Sequence, residues 1–156
     1  MKSPMAFKFA NKPGFTLFEL LLVMAGSAIL LAFTLPIAIR FYQGQLVDDT
    51  ARTLVDTLRR AKASAIAQKD SQPHGVKLNT ASSTFVHFEG TSYATRIPSA
   101  DETIDYPSSM TIASTSTEVT FSELYGTSTI SDLWSVNIDG ASSKISISPQ
   151  GVIDLQ

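Results

Sequence analysis

Few side chains in this sequence have the type and spacing to do chemistry. The clearest is a carboxylate where none is expected. In the stretch Gly-Phe-Thr-Leu-Phe-Glu-Leu-Leu-Leu-Val-Met, residues 14–24, Glu19 is the lone acid among side chains suited to lipid. A carboxylate at the centre of a membrane helix costs roughly 2.5–3.5 kcal/mol on insertion scales, and less near an end. Two readings follow: an interfacial acid without a role, or an acid that gains a cationic partner in an assembled state.

The other chemical candidates are weaker. His74 and His87 are the only histidines and are not at a metal-ligand spacing. His87, between Val86 and Phe88, reads as a strand-face residue. His74, in Gln72-Pro73-His74-Gly75, reads as a solvated turn residue. Asp101, Glu102 and Asp105 read as a solvated acidic loop, because a calcium site needs more oxygen ligands at defined spacing. Gly90-Thr91-Ser92-Tyr93-Ala94 misses the nucleophile-elbow pattern at its last position. There is no cysteine, hence no disulfide framework, no thiolate metal site and no lipid anchor on an N-terminal cysteine. The reading is therefore no enzyme, no catalytic residue, no metal and no cofactor.

Charge is distributed unevenly. Lys2, Lys8 and Lys12 precede Gly14, whereas from Ser71 onward the basic residues are Lys77, Arg96 and Lys144, against nine acids. The distal part is acidic, which argues against a general phosphate-binding face.

These residues must be positioned by a few elements. Residues 15–39 are apolar apart from Thr16, Glu19, Ser27, Thr34 and the breakers Gly26 and Pro36. The uncharged part after Glu19 is about 20 residues, a helix of roughly 30 Å, which matches a hydrocarbon core. Lysines before it and an acidic chain after it put the N-terminus in the cytoplasm and the bulk outside. A plain signal anchor is the simplest reading. A cleaved secretory signal would end at Ala25-Gly26-Ser27, but the apolar run continues through residues 28–33. Pro36 predicts a helix kink.

Beyond Arg40, Val47, Ala51, Leu54, Leu58, Ala61 and Ala65 recur at spacings of three and four, widened by Val55 and Ile66. This predicts an amphipathic helix to about Gln68. Asp48–Arg52 and Asp56–Arg60 are spaced as i,i+4 ion pairs. Arg52, Arg59, Arg60 and Lys62 read as a solvated basic face. From Ser71 the chain becomes rich in Ser and Thr. Alternation predicts strands over 75–78, 84–88, 92–97, 110–113, 118–121, 134–138, 144–148 and 152–155, with loops over 98–109 and 125–132. Glu89-Gly90, Asp139-Gly140 and Pro149-Gln150-Gly151 are turn signals. The expected fold is α+β: a long N-terminal helix, transmembrane then amphipathic, packed on an antiparallel β-rich head. Trp134 is expected in the core or packed on the head surface.

The stretch GFTLFELLLVM resembles the N-terminal signature of type IV pilins and type II secretion pseudopilins. That resemblance implies cleavage by a prepilin peptidase between Gly14 and Phe15 and N-methylation of Phe15. It also implies pairing of Glu19 with the N-terminal ammonium of a neighbouring subunit. Pro36 falls near where many members carry a helix-breaking proline. ARTLVDTLRRAKASAIAQ (residues 51–68) and ISISPQGVIDL (residues 145–155) resemble the GspH/FimT-type minor pilins, which pair an Arg/Ala-rich helix with a β-rich head. Some FimT-type proteins use a basic C-terminal region in DNA uptake. Here that region holds a single basic residue, Lys144, which argues against DNA as a partner.

The resemblance implies a four-part organisation: leader peptide 1–14, transmembrane or filament-core helix 15–39, amphipathic helix 40–70 and head 71–156. It implies a precursor in the bacterial inner membrane, single-pass with the head extracytoplasmic, that enters a pilus or pseudopilus. The implied partners are prepilin peptidase, other pilin or pseudopilin subunits, the inner-membrane assembly platform and, before assembly, membrane lipid. A filament-displayed binding module and a plain membrane-anchored domain are the alternatives.

Overall fold

The computed structural model describes residues 14–68 and 71–156; residues 1–13, with Lys2, Lys8 and Lys12, lie outside the described residues, as do Lys69 and Asp70. Its chain order is one helix, α1 (Leu17–Ile66), then eight strands. The strands are β1 (His74–Asn79), β2 (Thr84–Glu89), β3 (Glu102–Asp105), β4 (Thr111–Ala113), β5 (Glu118–Phe121), β6 (Asp132–Ile138), β7 (Ala141–Ile147) and β8 (Ile153–Leu155). Two compact units divide between Ile39 and Arg40.

The first unit holds the apolar part of α1. Its side chains are exposed throughout, and α1 is long and apolar enough to cross a membrane. The helix assignment runs uninterrupted through Pro36, which has no N–H to give to the preceding turn.

In the second unit α1 buries the stripe read from its sequence: Val47, Ala51, Leu54, Val55, Leu58, Ala61 and Ala65. Ile66, expected to widen the stripe, is instead exposed, because the helix ends there. The next turn closes on Gln68 at φ 52°, close to the predicted end. The alanines let the backbone approach the sheets closely. Thr50 and Thr57 are also buried, and the Thr57 hydroxyl donates to the Thr53 carbonyl at 2.8 Å, so its burial leaves no orphaned donor.

The strands form two four-stranded antiparallel sheets, β3-β2-β1-β5 and β4-β6-β7-β8, rather than one. The helix stripe and both sheets share a single apolar core containing Val76, Phe85, Phe121, Trp134, Val136 and Ile145. Trp134 is fully buried, and its indole N–H donates to Asp132 at 3.1 Å. Asp139 and Gly140 both have positive φ (40° and 91°), the turn type that a two-residue hairpin between β6 and β7 requires.

Two predictions about the strands fail. Residues 92–97 form turns instead of a strand. The hydroxyls of Ser92 and Thr95 bond to each other at 2.9 Å and Thr95 N–H donates to the Ser92 carbonyl, while Tyr93 N–H donates to the Glu118 carboxylate at 2.7 Å and Ile97 N–H to the Glu89 carbonyl, so turn bonds and side-chain partners replace a strand ladder. Conversely, the expected loop 98–109 contains β3. That strand, Glu-Thr-Ile-Asp, has one apolar residue, so no alternation announces it; pairing with β2 creates it. Two of the four edge strands, β5 and β8, have backbone groups taken up by other parts of the chain. Thr129 bonds both backbone groups of Thr120 on β5, and Arg59 Nη2 donates to the Ile153 carbonyl on β8 at 3.3 Å.

Leu54 is fully buried at the centre of this core. Leu54→Ala should destabilise the head by about 3 kcal/mol. The exposed helix residue Thr53, changed to Ala, should move stability by less than about 0.5 kcal/mol. Denaturant unfolding followed by Trp134 fluorescence checks both.

Candidate functional site

Glu19 is the third residue of α1, and the start of that helix explains its backbone. Thr16 is the N-cap: its Oγ1 accepts from the Glu19 N–H at 3.2 Å, while its carbonyl accepts from Leu20 N–H at 3.1 Å. The spacing Thr-x-x-Glu is that of a capping box, a signal the sequence carried and the reading missed. An acid in the first turn also sits where the helix dipole favours negative charge.

The other polar side chains of the apolar segment are satisfied internally. Ser27 Oγ donates to the Met24 carbonyl at 3.0 Å, and Thr34 Oγ1 to the Leu30 carbonyl at 3.1 Å. The Glu19 carboxylate is different. It is exposed and makes no ion pair among the described residues. Gly14 and Phe15 are also exposed and precede the helix. The expected processing residues Gly14 and Phe15 and the acid Glu19 thus lie within six positions at one helix end. Pro36 lies far along the same helix and does not join them.

The head contains a second polar grouping, which the sequence reading did not assemble. His74 is not a solvated turn residue: it opens β1 and is buried, because β1 starts one residue earlier than predicted. Cross-strand register pairs His74 with Glu89 and Val76 with His87 on β1–β2, and His87 with Glu102 on β2–β3. Alternation puts these side chains on the face that carries Val76 and Phe85 into the core. The His74 and His87 rings lie 5.4 Å apart. Glu102 is held from two sides, by Arg60 Nη1 of α1 at 2.6 Å and by His87 Nδ1 at 3.6 Å. Burial lowers the His87 pKa, and the neighbouring His74 lowers it further against the opposing pull of Glu102. The Arg60 hydrogen bond lowers the Glu102 pKa.

Two of the three carboxylates of the expected acidic loop are engaged, whereas Asp105, at the end of β3, is exposed. Asp101 accepts from Arg96 Nε at 2.7 Å, and Glu102 is the clamp just described. Among the described residues no group of three or more His, Cys, Asp or Glu side chains converges as a metal site. Three of the four residues of the basic helix face are engaged; Arg52 is exposed and makes no hydrogen bond or ion pair among the described residues. Arg59 reaches the Ile153 carbonyl, Arg60 reaches Glu102, and Lys62 Nζ donates to the Gly151 carbonyl at 2.8 Å. Neither expected i,i+4 ion pair is formed among the described residues. Arg60 turns to β3, and Asp48 accepts from Ser143 at 3.0 Å. Cross-element partners on fixed strands win over flexible neighbours on the helix, whose pairing is worth only about 0.3–0.5 kcal/mol.

A long N-terminal helix whose second half packs on two antiparallel sheets is the architecture of a type IV pilin or pseudopilin, and this chain has that fold. It is similar to the minor pseudopilin EpsH from the type 2 secretion system of Vibrio cholerae, with a TM-score of 0.54, 11% sequence identity and coverage of 70% of this chain and 95% of that one. No protein-family model and no curated protein matches the sequence.

The buried His87 makes head stability depend on pH. Its folded pKa is below the ordinary 6.5, so the unfolded chain binds the proton first. Stability is then complete above about 6.5 and is lost as pH falls below it. His87→Gln should flatten this decline between pH 7 and pH 5. Unfolding curves of both proteins, read by Trp134 fluorescence across that range, test it; equal slopes would sink the assignment.

Proposed function

We propose that this chain is a minor pilin or pseudopilin precursor. It is cleaved between Gly14 and Phe15 by a prepilin peptidase, methylated at Phe15, and assembled with other pilin or pseudopilin subunits through an inner-membrane platform. The observation that carries the reading is the Glu19 carboxylate, which has no ionic partner among the described residues, at the start of a segment whose other polar side chains are satisfied. Cleavage would create an ammonium at Phe15. Because Thr16 lies on the retained side of the cut, the helix cap survives processing. Before assembly the subunit is a single-pass inner-membrane protein with its N-terminus in the cytoplasm and its head outside.

Mechanism in this reading is assembly. The apolar side chains of residues 15–39 exchange lipid for neighbouring helices. Hydrophobicity alone does not choose an axial position, since sliding one apolar helix along another changes little. A buried charge pair does choose one, because an unpaired partner in a low-dielectric core costs about 3–5 kcal/mol. Glu19 on one subunit and the Phe15 ammonium on the next would therefore set the register. Pro36 would loosen the helix where subunits pack, having no N–H to donate. The acidic head favours protein contacts over DNA.

Mass spectrometry of the N-terminal peptide tests the pathway. A peptide beginning at N-methylated Phe15 is expected only where prepilin peptidase is active. A chain still beginning at Met1, or cut near Ser27, would overturn it. Glu19→Ala should still be cleaved but enter filaments at least about tenfold less, as the loss of one buried partner predicts. Immunoblots of sheared filaments and of membranes separate the two steps.

A further inference from the structure

The head begins at Arg40, immediately after the apolar segment, and the residues that follow are unusual for a head surface. Phe41 is 70% and Tyr42 65% exposed. Arg40, like Arg52, makes no hydrogen bond or ion pair among the described residues, whereas Arg59, Arg60 and Arg96 do. Arg40 lines a cleft of about 390 Å³ with Gln43, Asp139, Gly140 and Ala141. A neighbouring hollow of about 450 Å³ continues past Phe41 to Asp48. Gln43 Nε2 donates to Asp139 Oδ2 at 3.0 Å, which fixes the carboxylate at the β6–β7 turn and leaves its other oxygen available.

The charges in this cleft are opposite and separate: a free guanidinium on one wall and an oriented carboxylate on the other. With Asp48 included the cleft carries more negative than positive charge, so a purely anionic ligand would be repelled. A ligand with an anionic and a cationic group satisfies both walls. Arg40 matches a phosphate in charge and geometry, through two parallel N–H donors. Asp139 matches an ammonium that still has N–H bonds to donate. The exposed aromatic pair next to Arg40 has the amphipathic character found at the lipid headgroup level.

We propose that this cleft seats a phospholipid headgroup carrying both a phosphate diester and a primary ammonium, with phosphate on Arg40 and ammonium on Asp139. The proposal rests on the reading of residues 15–39 as a membrane span, which places Arg40 at the interface by chain continuity. The site would hold the subunit's head at the membrane surface before assembly, and would have to be vacated when the apolar segment leaves lipid.

The test uses the full chain in nanodiscs with equal phosphatidylethanolamine, phosphatidylcholine and phosphatidylglycerol, with the retained lipid quantified by mass spectrometry after gentle detergent extraction. Wild type should retain phosphatidylethanolamine over phosphatidylcholine by about fivefold, the scale of one charge contact at a membrane surface. Asp139→Asn should abolish the preference and Arg40→Gln should lower retention of phosphatidylethanolamine and phosphatidylcholine alike, while Arg52→Gln, outside the cleft, should keep both retention and preference. Trp134 fluorescence confirms that every variant is folded. Equal retention of the three lipids, a preference for phosphatidylglycerol, an unchanged preference in Asp139→Asn or unchanged retention in Arg40→Gln would overturn the proposal. So would a lipid-free dimer, which would make a second copy the occupant. The chain has no cysteine, so labelling of Ala28→Cys and Gln45→Cys reads the span separately. A freely labelled position 28 would overturn the membrane reading itself, whereas protection at 28 with no lipid preference overturns only the headgroup site.

Discussion

Everything in the head depends on burying one stripe of a single helix. The second half of α1 supplies Val47, Ala51, Leu54, Val55, Leu58, Ala61 and Ala65 to a core that both sheets share. Neither sheet could close that core alone, because each is four strands with one face to bury. The helix is also the point at which distant parts of the chain are fastened. Arg59 and Lys62 reach carbonyls at and next to β8, Arg60 reaches β3, and Asp48 reaches β7. Small residues at contact points serve the same end. A side chain at Gly151 would run into the Gly126 carbonyl, and one at Gly75 would lie 2.5 Å from the Phe88 ring.

The same helix meets two different demands on polar groups. In its apolar half, hydroxyls bond back to their own helix, and the Thr16 cap takes up a first-turn N–H. These are local solutions that need no tertiary partner, as a segment surrounded by lipid requires. In its amphipathic half, charged side chains find partners on strands far away in sequence. Among the described residues Glu19 and Arg40, at the two ends of the apolar segment, make no ion pair. The exposure of its apolar side chains is what distinguishes that segment from a core helix.

The histidine pair shows how polar rings can be accommodated on the core face of a sheet. His74 and His87 lie side by side on the core face of one sheet. Burial disfavours the charged form of the His87 ring, and Glu102 and Arg60 close the exposed edge. The arrangement couples the helix to the sheet electrostatically and makes that coupling sensitive to protonation.

Sequence alone determined the features set by local periodicity and local chemistry. The apolar span, the amphipathic stripe, the Asp139-Gly140 turn and seven of the eight strands were legible because each follows from neighbours within a few residues, whereas only the fold chose the core over the head surface for Trp134. The Thr16 cap was equally local, and was there to be read. Tertiary structure alone decided the rest. It divided the strands between two sheets, made β3 out of a polar segment, buried His74, and turned Arg59, Arg60 and Lys62 to two carbonyls and one carboxylate. The physical reason is common to all four. An edge strand is made by its partner's hydrogen bonds, and a charged side chain is placed by whichever fixed counter-group the fold brings within reach, and neither is encoded in a window of adjacent residues.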